Sequence, residues 1–310
     1  MAIHLDPAVT EVAGRHEGLL SLDHCRELGI SPDRLVTLVR RGTLHRVVRG
    51  VYDTNPQPSA DPDALRRRAA WTGLLAIGPH AISVGACALA LHGALGLPRV
   101  LVPEVAMADG RHIRGPQGVR VRRYRTVTGT VRFGPWTVSD VPTALVHALP
   151  GLPKSNAVAV LDSVLNRGML TDEDLGSVRR RLRGQRGCTR LEHYWPLVNG
   201  LAESPLETWV RLDCIDAGLP PDRLQMDICD PTGRFVARVD MVWFRPDGSM
   251  VVAEVDGRDV HASPEALFAD RLRQNELVSL PGITVLRFTA RDLRVPGTIA
   301  RAVRLALARD

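Results

Sequence analysis

Lysine is almost missing from this chain. Lys154 is the only lysine among 40 basic residues, so nearly all positive charge is arginine. Arginine favours bidentate phosphate contacts, which makes nucleic acid a candidate partner, although a genome-wide codon bias gives the same replacement. Cysteine is scarce as well: Cys25, Cys87, Cys188, Cys214 and Cys229 are odd in number and no two form a Cys-x-x-Cys pair. That speaks against a disulfide framework and a zinc site, and for a reducing cytoplasmic location. The N-terminus lacks the basic, apolar and small-residue blocks of a signal peptide. From Ala69 to Pro98 there is no Asp, Glu, Lys or Arg. A membrane span is the first thought, but Gly73, Gly78-Pro79-His80, Ser83, Gly85 and His92-Gly93 interrupt the run, and two buried helices fit it better. Neither a membrane nor an organic cofactor is expected.

What is present has the size of several domains. A 310-residue chain with 45% hydrophobic residues exceeds one ordinary core. The net charge of +6 is unevenly spread: residues 61–200 carry 19 basic and 10 acidic groups, and residues 201–310 carry 14 and 17. The clearest linker is Asn55-Pro56-Gln57-Pro58-Ser59-Ala60-Asp61-Pro62. The expected segments are 1–54, 61–200 and 201–310.

The most informative stretch is a hairpin. Arg234 to Trp243 and Met250 to Asp256 read as strands around the turn Arg245-Pro246-Asp247-Gly248. If the turn is odd in length and centred on Asp247, Asp240 lies directly across from Glu254, with Asp256 on the face of Glu254. An even-length turn would put Asp240 and Glu254 on opposite faces. Two carboxylates facing each other in an apolar strand pair need compensation, and a hard divalent cation, Mg²⁺ or Mn²⁺, is the natural candidate with Asp240 and Glu254 as ligands.

The first fifty residues read as three helices and a β-wing. Asp6-Pro7 opens a helix to about Glu17, Ser21 caps one to Leu28, and Ser31-Pro32 starts one to Arg41. Thr43 to Val48 and Val51-Tyr52 then flank Arg49-Gly50. This is the winged form of the helix-turn-helix, in which Arg34, Arg40, Arg41, Arg46 and Arg49 fall on the third helix and wing and would hold DNA. Gly18-Leu19-Leu20-Ser21, Leu28-Gly29-Ile30-Ser31, Leu38-Val39-Arg40-Arg41-Gly42 and Arg46-Val47-Val48-Arg49-Gly50-Val51-Tyr52 make the segment resemble the N-terminal domain of AbiEi-type antitoxins of type IV toxin-antitoxin systems. The resemblance implies a DNA-binding transcriptional regulator in which Arg40, Arg41, Arg46 and Arg49 touch DNA, with a cognate toxin or self-association as further partners. The alternative is a small helical domain with a solvated arginine face.

The middle reads as mixed α/β. Helices are expected at 63–77 and 81–95, strands at 100–107, 119–124 and 131–138, and helices at 143–149, 155–166 and 172–182. His92 reads as a satisfied core histidine, and Arg120, Arg122 and Arg132 as the wet side of a sheet. The run Arg179-Arg180-Arg181-Leu182-Arg183 reads as a solvated face.

The last segment offers helix, three strands, helix, strand and helix. Ser204-Pro205-Leu206-Glu207, Arg238-Val239-Asp240, Glu254-Val255-Asp256-Gly257, His261, Asp270-Arg271, Asn275 and Val285-Leu286-Arg287-Phe288 resemble the nuclease group related to very-short-patch-repair endonucleases. That group lies within the PD-(D/E)xK restriction-endonuclease-like superfamily. The resemblance implies a metal-dependent endonuclease with Glu207 in support, although Ser204 and Glu207 also spell a capping box. Its third residue is normally lysine, and here Asp256 stands there. His261, Arg271 or Gln274 would have to take that role, His261 as general base. In the competing reading Arg271 pairs with Asp256 or Arg287 with Glu254, no metal binds, and the protein is a non-enzymatic regulator. The expected fold class is multi-domain α/β: winged helix, mixed α/β middle and restriction-endonuclease-like C-terminal domain.

Overall fold

A computed structural model describes residues 6–54, 59–111, 113–124, 127–256 and 273–308. The chain is mixed α/β and forms two compact units, residues 1–153 with 169–192 and residues 154–168 with 193–310. The three segments drawn from the sequence thus regroup: the N-terminal helices join the middle segment, and the helix at 154–166 joins the C-terminal one.

The first unit begins with α1 (Pro7–Gly14), β1 (Leu19–Ser21), α2 (Leu22–Glu27), α3 (Pro32–Arg40), β2 (His45–Val48) and β3 (Val51–Asp53). Asp6, Ser21 and Ser31 each accept a backbone N–H at the start of the following helix, which satisfies donors that a helix leaves open. The three strands pair antiparallel in the order β1-β3-β2. Strand β1 was missed in the sequence because three buried residues are too few to show alternation.

The unit continues with α4 (Pro62–Ile77), β4 (Ala81–Ser83), α5 (Gly85–His92), β5 (Glu104–Met107), β6 (Arg120–Arg122), β7 (Thr130–Phe133), β8 (Trp136–Ser139), α6 (Val141–Ala148) and, after an excursion, α8 (Asp172–Leu182). The sheet order is β6-β5-β4-β8-β7. Here the helix expected over 81–95 is corrected. Ala81-Ile82-Ser83 form the central strand, and the helix starts only at Gly85, whose φ of +56° lets the chain turn out of the sheet.

The N-terminal module is fastened to this sheet. Leu19 and Val51 share a core with Leu74, Val105 and Trp136. Arg67 Nε donates to Glu17 Oε1 at 2.6 Å, and Arg68 pairs with the buried Asp53. The Arg66-Arg67-Arg68 run is thus internal cement, Arg66 donating to the carbonyl of Pro98. His92 donates from Nε2 to the carbonyl of Ser139 at 2.8 Å, and Arg120 and Arg122 both pair with Glu104.

The second unit contains α7 (Lys154–Asn166), α9 (Pro205–Asp216), β9 (Arg223–Cys229), β10 (Phe235–Phe244), β11 (Met250–Asp256), α10 (described over 273–279), β12 (Ile283–Thr289) and α11 (Thr298–Leu307). Its sheet runs β12-β11-β10-β9, antiparallel except for the parallel β11–β12 pair. One core unites Leu206 and Val210 of α9 with Met241, Trp243, Val251, Ala253, Val255, and Ile299 of α11. The other unites Val239, Val242 and Val252 with Leu277 of α10. Helix α7 is bound to α9 by a buried charge pair: Arg211 donates to Asp162 Oδ2 at 2.7 Å, and Thr208 Oγ1 donates to the same oxygen.

Candidate functional site

The 245–248 turn closes with Arg245 N–H donating to Ser249 O at 2.8 Å and Gly248 at φ +86°. Its ladder pairs Phe244 with Met250 and ends at Met241 with Ala253. One step further in this register sets Asp240 opposite Glu254, so the odd-length turn is the one adopted. The strands do not continue as a plain ladder there. Asp240 Oδ2 instead accepts the Val255 N–H at 2.7 Å, and a carboxylate is inserted where the strands fork.

Asp240 sits at a slip in its own strand. Val239 and Met241, two residues apart, belong to opposite cores, although a regular strand would point both to one face. The partner opposite Asp240 in the β9–β10 register is Gln225, whose φ of +49° is unusual for a residue with a side chain. Gln225 Nε2 donates both to Asp240 Oδ1 at 3.1 Å and to Glu207 Oε2 at 3.0 Å. One amide thus ties the forked hairpin to the first turn of α9.

Glu207 is buried, and its Oε2 also accepts the N–H of Glu203 at 2.9 Å. Ser204 Oγ accepts the Glu207 N–H, as the sequence motif expects, but Glu207 closes back on Glu203 rather than on Ser204. Burial lifts the Asp240 carboxyl to about 6. The Val255 N–H and Gln225 amide pull it down, and the negative charges of Glu207 and Glu203 push it up.

Glu254 has different company. Arg287, its register partner on β12, donates from Nε to Glu254 Oε2 at 3.1 Å and from Nη1 to Gln274 Oε1 of α10 at 2.8 Å. Burial holds the Glu254 carboxyl above its ordinary value, with Arg287 and Arg273 acting the other way and Asp256 adding to the rise. Asp256 ends β11 and is exposed. His261 and Arg271 lie outside the described residues. The pairing of Arg287 with Glu254, one arm of the metal-free alternative, is present.

The two carboxylates offer oxygen donors. Glu254 Oε1 has no hydrogen-bond partner among the described residues, and each Asp240 oxygen has one partner and a second lone pair. No guanidinium among the described residues pairs with Asp240 or Glu207. This donor set suits a hard cation held by two carboxylates and water. No group of three His, Cys, Asp or Glu among the described residues is gathered around one point for a metal ion.

In the first unit, Arg34, Arg40, Arg41, Arg46 and Arg49 are all exposed, and none enters an ion pair among the described residues. Helix α3 buries Leu35 and Leu38, so its opposite side carries Val36, Thr37 and Arg40, with Arg34 exposed on the flank. Val36 and Val47 are 50% and 42% exposed beside these arginines, a feature that charge counting alone does not reveal.

The architecture defines a multi-domain α/β protein with an acidic fork in its second unit and an arginine face in its first. The chain belongs to the family of the uncharacterized protein Rv2248 of Mycobacterium tuberculosis (strain ATCC 25618 / H37Rv). It is 31% identical to that protein over 273 residues, which cover 86% of this chain and 93% of the relative. The uncharacterized protein MT2308 of Mycobacterium tuberculosis (strain CDC 1551 / Oshkosh) is similar to the same extent. No protein-family model matches the chain. No helix among the described residues is long and apolar enough to cross a membrane.

Proposed function

We propose that the chain is a DNA-associated protein whose second unit is a metal-dependent endonuclease, with Asp240 and Glu254 as metal ligands. The observation that carries this reading is the fork at Asp240. A half-buried carboxylate stands opposite Glu254, is linked through one amide to a buried Glu207, and forms no ion pair with an arginine among the described residues. Holding such a charge costs stability, and a cation that completes the site accounts for its retention.

When bound, Mg²⁺ or Mn²⁺ would polarise a phosphodiester and lower the pKa of a water. The chain's own groups set the frame. Gln225 fixes Asp240 and Glu207 relative to each other. Arg287 leaves Glu254 Oε1 open while gripping Oε2. His261 is the proposed base and Arg271 the proposed charge stabiliser, in place of the lysine that Asp256 replaces. The arginine face of α3 and the β2–β3 wing would hold duplex DNA, with Arg34, Arg40, Arg41, Arg46 and Arg49 on phosphates. Val36 and Val47 supply apolar surface of the kind that meets thymine methyl groups. A defence or toxin-antitoxin setting and a cytoplasmic location belong to the same proposal, and with them a cognate toxin as partner.

A second reading is a transcriptional regulator with an inactive nuclease-like unit, and the Arg287–Glu254 pair favours it. Nicking of supercoiled plasmid with Mg²⁺ or Mn²⁺, beside Asp240→Ala and Glu254→Ala, separates the two. Metal-dependent nicking lost in both variants supports the endonuclease. Metal-independent DNA binding without nicking leaves the regulator.

A further inference from the structure

A cleft of about 740 Å³ opens in the first unit where four segments meet. They are the start of α2, the Arg49-Gly50 turn of the wing, the end of α4 and the loop over residues 113–116. Its volume lies in the range of small-molecule sites. One wall is apolar, made by Leu22, Leu75, Ala76 and Ile77. Arg49 and Arg114 stand on the rim, both exposed, and neither forms an ion pair among the described residues. The one carboxylate among the described residues that line the cleft, Asp23, is engaged by Arg26 at 2.9 Å.

The rim is a built feature. A Cβ at Gly115 would lie 2.8 Å from the carbonyl of Val119, so the segment carrying Arg114 runs tight against the chain that follows. At Gly118 a Cβ would lie 3.4 Å from Val48 of the wing, so this loop also rests on the strand leading to Arg49. The backbone carrying the two arginines is therefore held beside an apolar wall that water solvates poorly.

We propose that this cleft binds a small organic anion: a flat apolar body against Leu75, Ala76 and Ile77, with a carboxylate- or sulfonate-like group between Arg49 and Arg114. Either part alone would bind weakly. Together they combine apolar burial with charge-assisted hydrogen bonds. Arg49 is also one of the five arginines of the proposed DNA face, so an occupied cleft would withdraw it from phosphate and weaken DNA binding. That consequence rests on the DNA reading, and the ligand assay below contains no DNA.

The test uses the full chain with 8-anilinonaphthalene-1-sulfonate, followed by fluorescence and calorimetry, against N-phenyl-1-naphthylamine, the same rings without the sulfonate. The expected result is one saturable site per chain, with the sulfonate bound about tenfold more tightly than the uncharged compound. Arg114→Gln should reduce that preference to about threefold, Arg49 remaining on the other side. Ala76→Trp should fill the wall and weaken both compounds about tenfold, at an unchanged thermal midpoint. If Ala76→Trp fails to fold, Arg114→Gln, on an exposed loop residue, decides alone. Unsaturable binding, equal affinity for the two compounds, or wild-type preference in Arg114→Gln would overturn the proposal.

Discussion

Arg287 and Glu254 face one another in register across the parallel β11–β12 pair, Nε to Oε2 at 3.1 Å. The contact neutralises one of the two carboxylates that the hairpin brings together and leaves the other, Asp240, to an amide and a backbone N–H. The fork is therefore electrostatically lopsided, and its two sides respond differently to protons and to substitution.

Replacing Arg287 by Gln removes the partner that draws the Glu254 carboxyl down, so that carboxyl rises further. The guanidinium is 36% exposed, and solvent screens the pair, so the loss of stability at pH 7 should be about 1 kcal/mol. Because the contact needs ionised Glu254, the loss shrinks as the pH falls and Glu254 takes up a proton. Urea unfolding of wild type and variant at pH 7 and pH 4.5 checks both statements; an equal loss at the two values would mean that the pair acts by packing alone.

The Asp240 carboxyl is raised by burial too, but has no guanidinium paired with it among the described residues to draw it down. Its folded carboxyl titrates at about 6, above the ordinary value of 3.8, so between those values the folded chain binds more protons than the unfolded one. Stability contributed by protonated Asp240 is present below pH 3.8 and is lost as the pH rises to about 6. Asp240→Asn removes that loss. It should be more stable than wild type at pH 7 by up to about 2 kcal/mol, with no gain at the acidic end. A pH series of thermal midpoints measures this. A saturating divalent cation bound to the wild type should narrow the gap and have no such effect on the variant.

The hairpin was readable because its information is local. Turn residues at 245–248 set the register, and the register sets Asp240 against Glu254. Capping residues Asp6, Ser21 and Ser31 likewise placed helix starts with little reference to the rest of the chain. What stayed hidden depends on distant residues. Nothing near Gln225 in sequence announces that its amide joins Glu207 to Asp240, since that contact exists only when α9 and β9 lie against β10. The run from Ala69 to Pro98 lacks charge because it is buried. Burial alone does not separate a strand at 81–83 from a helix, and only pairing with β5 and β8 decides it. Similarly, nothing near Asp162 in sequence announces its pairing with Arg211, which reaches it from α9.

That pair gives a sharp test of the second unit. Asp162 is 1% and Arg211 5% exposed, and Asp162 also accepts the N–H of Asn199 and the hydroxyl of Thr208. Arg211→Met leaves a buried carboxylate with its charge uncompensated, which should cost about 3–5 kcal/mol. The double change Arg211→Met with Asp162→Asn should recover part of the loss. Chemical denaturation of the single and double variants measures the coupling, and additive losses would refute a direct pair.

The arginine face makes a prediction in salt. If Arg40 and Arg41 each neutralise one phosphate, their joint replacement by alanine releases about two fewer counterions. The slope of log affinity against log salt should then fall by about 1.8, with a weakening that is the same for every duplex sequence. Arg15→Ala serves as the control, because Arg15 lies outside α3 and the wing and has Glu11 beside it at 2.6 Å. Fluorescence anisotropy of a labelled duplex over a salt series gives the slopes. An unchanged slope in the double variant would remove α3 from the DNA contact whatever the affinity did, since affinity responds to many things and the slope responds to phosphate neutralisation. Val36→Ser separates the apolar component in the same assay. It removes apolar surface from the exposed side of α3 without adding charge, and should weaken binding while leaving the slope that Arg40 and Arg41 set.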